Sequence, residues 1–347
     1  MKSREPGAPT RVTLSDIARL AGVSVTTVSR VLGGRAGEVK ISDKTTSRIL
    51  EIAREQNYRP NLFAKALRTN KSYLVGLVVW DFADPYYGAL VVGAQNTLAR
   101  YGYTAVLTNA GRSETELYAS LSRMGAFQTD GALVVGGPEE FGEAESALIR
   151  DDSRRTVYIS TCNPHSGAAS VVSDNYEGGR LGVDYLITHW QRPLVWLRPE
   201  ESTFDTDQRV RGIEAGVAAH KYETEFTTRV TRLGEEGGYR ICARLLEEIT
   251  PPFSLFAFTD LTAVGAVHAA FDAGMRVPDD VAILGFDDLS LAAHINPPLS
   301  TIRQPRQALG SRGAELLVEQ LNGEDAAERS EPERETLPTE LVIRATA

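Results

Sequence analysis

The hydrophobic positions of this chain change period once, near residue 73. Before it, the segment TLSDIARLAGVSVTTVSRVL from Thr13 places Ile17, Ala18 and Ala21, and then Val28 and Val31, at helical spacing. This predicts two short helices around a tight turn. Thr13 or Ser15 can cap the first helix, Asp16 suits its positive end, and Gly22 supplies a backbone conformation that a Cβ disfavours. Ser24 is the expected cap of the second helix, with Val28 and Val31 inward and Val25, Thr26, Ser29 and Arg30 outward. A third helix over 43–56, starting at Ser42 or Asp43, is expected to turn Ile49, Leu50 and Ile52 inward.

After residue 73, short continuous apolar runs alternate with helical stretches: YLVGLVVW, a helix near 87–101, YTAVLTN, DGALVVGG, RTVYIST, PLVWLRP, SLFAFTD and VAILGFD. Continuous apolar strands separated by helices predict parallel sheets covered on both faces. Ligands in such folds bind beyond the carboxyl ends of the strands. That directs attention to Trp80-Asp81, Asn109, Asp174-Asn175, Thr259-Asp260 and Asp287-Asp288. Asp and Asn at such positions suit hydroxyl-bearing ligands, and aromatic rings can stack on the apolar face of a sugar.

A length of 347 residues favours two or three domains, and 42% hydrophobic with 24% charged residues is ordinary for a globular chain. The apolar runs are too short to span a bilayer, and MKSREPGAPT lacks the apolar core of a signal peptide, so a cytoplasmic location without a membrane partner is expected. Cys162 and Cys242 form no framework, which suits a reducing compartment. The net charge of −9 conceals an asymmetry: residues 1–72 hold 14 Lys+Arg against 6 Asp+Glu, and the remainder 23 against 40. A head of +8 on a body of −17 is expected when one end meets a polyanion. There is no GxGxxG at a strand end, no GKS or GKT, no HExxH and no Cys/His cluster, so no catalytic residue, cofactor or metal is expected.

The small Ala18, Gly22, the Ser24 cap and the outward Thr/Ser/Arg set within VTLSDIARLAGVSVTTVSRVL, followed by SDKTTSRILEIAREQNYRPNLFAKALR, resemble the lactose-repressor family over the entire head. The resemblance continues through ADPYYGALVVGAQ after Asp81, TDGALVV, SDNYEGGRLGVDYL, RVRGI, TDLTAVGAVHAAFDAGMRVPDDVAILGFDD, PPLSTIRQP and LPTELVIR. It implies an all-α helix-turn-helix head on an α/β body of the two-lobed type I periplasmic-binding-protein kind. The implied boundaries are an N-terminal arm at 1–12, a DNA-binding domain at 13–60, a hinge helix and linker at 61–72, and an effector-binding and dimerisation domain at 73–347. Its lobes would hold about 73–172 with 304–334, and about 173–303 with 335–347.

Roles follow from the same resemblance. Val25, Thr26 and Arg30 would read bases, Arg30 at guanine and the other two at thymine methyls. Ser24, Thr27 and Ser29 would hold phosphates. Tyr58 and Asn61 lead into the hinge, where Ala64 and Leu67 would enter the minor groove and Leu67 would wedge a base step. The loop GGRAGEVKIS is longer than is usual. Effector contacts would come from Trp80, Asp81, Tyr86, Tyr87, Arg209, Thr259 and Asp287, with Arg209 and Asp287 gripping ring hydroxyls. Trp80 stands where proline is common, Thr259 where Asn or Ser is, and His189-Trp190 removes a helix-ending glycine. The implied protein is a homodimeric repressor that binds a pseudo-palindromic operator and is switched by a small molecule, a sugar, bound between the lobes. The alternatives are a transport-associated sugar-binding protein, which calls for an export signal, and an enzyme on the same α/β fold, which calls for a nucleophile or cofactor signature.

Overall fold

The computed structural model describes residues 12–32, 41–58, 71–137, 155–162, 167–200, 203–220, 225–323 and 334–347. They form two units, 1–72 and 73–347.

In the first unit, α1 (Leu14–Ala21), α2 (Val25–Leu32) and α3 (Asp43–Glu55) pack around one small core. Thr13 caps α1 in a reciprocal box with Asp16, whose carboxylate bonds back to the Thr13 amide and hydroxyl. Gly22 then turns the chain at φ +69, in the left-handed region where a side chain is penalised. Ser24 accepts the Thr27 amide at 3.1 Å and Ser42 the Thr45 amide at 3.2 Å, so all three helices start on side-chain caps. The core is Ile17, Ala18, Ala21, Val28, Val31, Ile49 and Ala53. Leu50 departs from expectation, because it is exposed at 45% while Ile52 is half-buried. Ile49 and Ala53, four residues apart, define the inner stripe of α3, and Leu50 lies about 100° away from Ile49.

Among the described residues the second unit forms two six-stranded sheets. The first contains β1 (Leu74–Val79), β2 (Thr104–Asn109), β3 (Gly131–Val135), β4 (Arg155–Ile159) and β5 (Ala169–Ser173). Helices α4 (Tyr86–Arg100) and α5 (Glu114–Ala126) follow β1 and β2. The chain then crosses into the second sheet through α6 (Asn175–Trp190), β6 (Leu194–Pro199), α7 (Phe204–Ala219), β7 (Phe226–Thr231), α8 (Glu235–Glu248), β8 (Phe253–Ala257), α9 (Asp260–Asp272), β9 (Val281–Asp287) and β10 (Ser300–Arg303). It returns through α10 (Arg306–Leu321) and β11 (Arg334–Leu337), and crosses back for β12 (Glu340–Val342). The strand orders are β11-β5-β4-β3-β1-β2 and β12-β10-β9-β8-β6-β7, parallel except for β12. Because β11 pairs with β5 through Leu337, the first lobe extends three residues past 334.

Both sheets are covered on both faces, which is why their strands read as unbroken apolar runs. Val75, Leu77 and Val79 pack with Leu90, Leu98, Leu309 and Leu317, while Val78 packs on the other face with Leu117, Met124 and Tyr158. In the second lobe Val195, Leu197 and Leu255 face Leu245 and Val264, and Trp196, Phe256 and Phe286 face Val183, Leu186 and Ile213. Helix α6 ends with Gln191 at φ +46, a left-handed position held without glycine.

Helices α4 and α10 cross so closely that a Cβ on Gly310 would run into the carbonyl of Leu90. Gly310→Ala must therefore push two backbones apart, at a cost of about 1–3 kcal/mol. Gly88, on an open stretch of α4, makes the control, since Gly88→Ala should gain about 0.5–1 kcal/mol. Thermal unfolding of the two variants should move in opposite directions, and a common direction would discount the crossing.

Candidate functional site

The outward face of α2 carries Val25, Thr26 and Arg30, with Val25 43% exposed. Ser29 is half-buried on the same helix. Ser24 and Thr27 bond to each other at 2.8 Å as well as forming the cap, so both hydroxyls already have a structural role. Tyr58 packs against the edge of the head core rather than standing free. Asn61, Ala64 and Leu67 lie outside the described residues.

In the body, the candidate cleft gathers at the carboxyl ends of the strands. After β1, Asp81 accepts the Ala83 amide at 2.9 Å and pairs with Arg112 at 3.7 Å, while Trp80 packs into the core behind β1. Asp84 accepts the Tyr86 amide at 2.9 Å at the start of α4. The Tyr86 and Tyr87 rings meet edge to face at 5.3 Å. Burial and the charge of Asp205 and Asp287 raise the Tyr86 phenol, and burial and Asp84 raise that of Tyr87, so both stay protonated as donors.

Arg209 projects from α7 into the cleft and is 3% exposed. Its Nε donates to Asn175 Oδ1 at 2.7 Å and its Nη1 to the Phe258 carbonyl at 2.5 Å. Its guanidinium lies between the rings of Phe286, at 3.5 Å, and Phe258, at 4.1 Å. Asn175 turns its amide to Asp205 at 2.7 Å. Asp287, at the end of β9, has φ +122, a conformation an L residue holds only under constraint. That constraint is visible around it. Gln304 donates to Asp287 Oδ1 at 2.7 Å, and the next residue, Asp288, is clamped by Arg303 at 2.7 Å and Arg344 at 2.6 Å.

Gln304 joins the lobes. Its amide oxygen accepts from Ser173 at 2.6 Å and from the Tyr86 hydroxyl at 2.9 Å, and Tyr86 also meets Ser160 at 2.6 Å. The amide nitrogen is the group that holds Asp287 of the second lobe.

Of the expected effector residues, Tyr86, Arg209 and Asp287 converge, Tyr87 packs edge-on to Tyr86, and Asp81 sits beside Arg112. Thr259 is spent on the cap of α9, accepting the Thr262 amide at 3.3 Å. Asp84, Ser160, Ser173, Asp205 and Gln304 were not anticipated. Gln304 follows β10 directly, so the strand-end rule applied to that strand finds it; Asp205 stands one helical turn before Arg209.

Burial pushes Asp287 up to about 7 and Asp205 to about 6, with Arg209 opposing in both cases. From their ordinary 3.8 up to these values the folded protein holds protons that the unfolded chain has released. Stability from these groups is therefore lost as pH rises from about 4 to about 7. Asp287→Asn should flatten the fall in thermal stability between pH 5 and 8, and an unchanged slope would show that this carboxylate is already ionised at pH 5.

Comparison with known proteins agrees with this architecture. Residues 13–61 match the family described as bacterial regulatory proteins, lacI family, and 183–347 match a periplasmic binding protein-like domain. The transcriptional repressor PurR of Mannheimia succiniciproducens is 30% identical over 336 residues, covering 96% of this chain and 97% of that protein. The solved lac repressor dimer bound to operator and the anti-inducer ONPF aligns with a TM-score of 0.82 at 23% identity, over 97% of this chain and 99% of that one. The transcriptional regulator CelR in complex with cellobiose aligns at 0.69 with 27% identity, over 97% and 100%. With a capped, outward-facing second helix in its head and a two-lobed body following it in sequence, the chain belongs to the lacI family of bacterial regulatory proteins, as a DNA-binding transcriptional regulator.

Proposed function

We propose that the protein is a homodimeric repressor, acting in the cytoplasm without enzymatic activity, which binds a pseudo-palindromic operator and is switched by a sugar held between its lobes. The observation that carries the DNA half is the exposed Val25, Thr26 and Arg30 on a helix whose other face is fixed in the head core. Such a helix can lie in a major groove, and two-fold symmetry doubles the contacts a small head can make. The strand-end cluster of Arg209, Asp287, Asn175 and the two tyrosines supports a polyhydroxyl effector, as does the cellobiose held by the relative CelR.

A route from effector to DNA runs through Gln304. An effector hydroxyl that takes Asp287 competes with the Gln304 amide, and so biases the angle between the lobes only by its differential affinity for the two arrangements. The hinge would read that angle, and Leu67 in it would wedge the minor groove. Leu67→Ala should weaken operator binding more than non-specific binding, and equal losses would remove the wedge from the mechanism.

The deciding experiment measures binding of the full chain to genomic fragments at several salt concentrations, followed by the effect of sugars and purine bases on the bound fragment. Sequence-selective binding with a steep salt dependence, relieved by a sugar, is the expected result. Binding without sequence preference would end the repressor reading, and release by a purine base alone would end the sugar reading.

A further inference from the structure

The turn that leaves β9 makes three different contacts with three consecutive residues. Asp287 meets the cleft, where Gln304 donates to it at 2.7 Å and the charges of Arg209 and Arg306 bear on it. The Asp288 carbonyl accepts from Arg306, at the start of α10 in the first lobe, at 2.8 Å. Leu289 is buried and belongs to the apolar cluster of the first lobe, with Tyr86, Leu90 and Leu309. Leu261 and Leu291 of the second lobe pack against that same cluster. A carboxylate offered to the cleft is thus two residues from an apolar key seated in the opposite lobe.

Such a turn passes movement on only if it shifts as one piece. Its backbone is costly, with φ +122 at Asp287 and +51 at Asp288, so the surroundings must hold it. Arg303 and Arg344 clamp the Asp288 side chain, and the backbone beyond it is held by Asp260. This residue, at the start of α9, is one of the strand-end acids, yet it is fully buried and out of a ligand's reach. Its Oδ2 accepts the Leu289 amide at 2.7 Å and its Oδ1 the Thr301 hydroxyl at 2.5 Å. The Thr301 oxygen in turn accepts the Asp288 amide at 3.4 Å. Both oxygens of the buried carboxylate therefore serve the turn, one directly and one through β10.

We infer that Asp260 is a positioning residue, which locks Asp287, Asp288 and Leu289 into one unit and makes the cleft carboxylate and the first-lobe key move together. Naming Asp287 an effector contact rests on the function proposed above, whereas the mechanical coupling does not. A ligand that displaces Asp287 must then displace Leu289 as well. The differential contact that a change of lobe angle requires is built into three consecutive residues.

Hydrogen exchange on the full-length protein, without any ligand, tests the coupling. Asp260→Ala should speed exchange of the Leu289 amide about tenfold or more, because its acceptor is gone. It should also speed exchange about threefold or more in first-lobe peptides covering 86–94 and 306–314, which hold Tyr86, Leu90 and Leu309. Asp260→Asn should stay near wild type at all three places, since its carbonyl can accept the Leu289 amide and its NH2 can donate to Thr301. Leu289→Ala should loosen the two first-lobe peptides while the amide at position 289 keeps its protection. Val195→Ala, a truncation in another core of the second lobe, controls for simple loss of stability and should leave both peptides unchanged. If Asp260→Ala loosens the turn without the first-lobe peptides, or Val195→Ala loosens those peptides equally, Asp260 supports only its own lobe and the inference fails. It fails also if Asp260→Asn exchanges as Asp260→Ala does, because the acceptor bonds then do not position the turn. Should Asp260→Ala not fold, Thr301→Val removes the hydroxyl with little change of shape and decides the same comparison. Faster exchange at Leu289 and in both peptides upholds the coupling, and unchanged exchange overturns it. These outcomes stand whether or not the cleft binds a sugar.

Discussion

Ile17→Ala is expected to abolish operator binding while leaving the body folded. Ile17 is fully buried in the head core, where α1 meets Val28 and Val31 of α2 and Ile49 of α3. Truncating a buried isoleucine costs about 2–5 kcal/mol. A three-helix unit of this size has only about 3–5 kcal/mol to lose. The larger body has its own cores and shares none of this cluster. Far-UV circular dichroism should lose a small helical component, operator binding should vanish, and the main thermal transition should stay where it was. A variant that retains operator affinity within about tenfold would show that the head is far more stable than its core suggests. Leu50→Ala, at an exposed position of the same bundle, should cost no more than about 0.5 kcal/mol and serves as the matched control.

Arg209→Lys should weaken effector binding by about 100-fold, because a lysine cannot take over the geometry of this site. The guanidinium is flat enough to lie between Phe258 and Phe286 and still direct Nε at Asn175 and Nη1 at the Phe258 carbonyl. An ammonium is compact and strongly hydrated, so both bonds and the stacking are lost together. Hydrogen bonds to charged groups are worth about 1.5–3 kcal/mol each, and the ring contacts add about 0.5–2 kcal/mol. Calorimetric titration of the wild type and the variant with the effector found in the screen reads this directly. If the affinity falls less than about fivefold, Arg209 is a support for Asn175 and not a ligand contact.

The helix caps, the turn at Gly22 and the strand-end carboxylate Asp287 were all legible in the sequence, because each depends on residues within a few positions of itself. Leu50 was misread for a physical reason: Ile49, Leu50 and Ile52 are all apolar, and one helix stripe cannot take the three of them. Packing against α1 and α2 chose the register of Ile49 and Ala53. The site was only half visible. Gln304 gains its meaning from a tyrosine 218 residues away, and Ser160 and Ser173 from the same gathering of strand ends. The strand-end rule can point to Gln304 after β10, but no spacing rule reaches across such distances to name its partners. Asp205 lay closer to view, since an acid one turn before Arg209 shares its helix face.

The interleaving of the two lobes also governs when either one can be finished. The first sheet acquires its edge strand β11, and the helix that covers it, only after the whole second lobe through β10 has been made. The second sheet waits for β12, whose partner β10 lies about forty residues earlier. A ribosome must therefore release nearly the entire chain before the apolar faces of Val75, Leu77 and Leu133 meet Leu309 and Leu317. Contacts of such long sequence separation slow folding and prolong the exposure of unfinished sheets. Assembly of the switch is in this sense a single late event, and the head, complete within its first sixty residues, can be folded long before there is anything for it to obey.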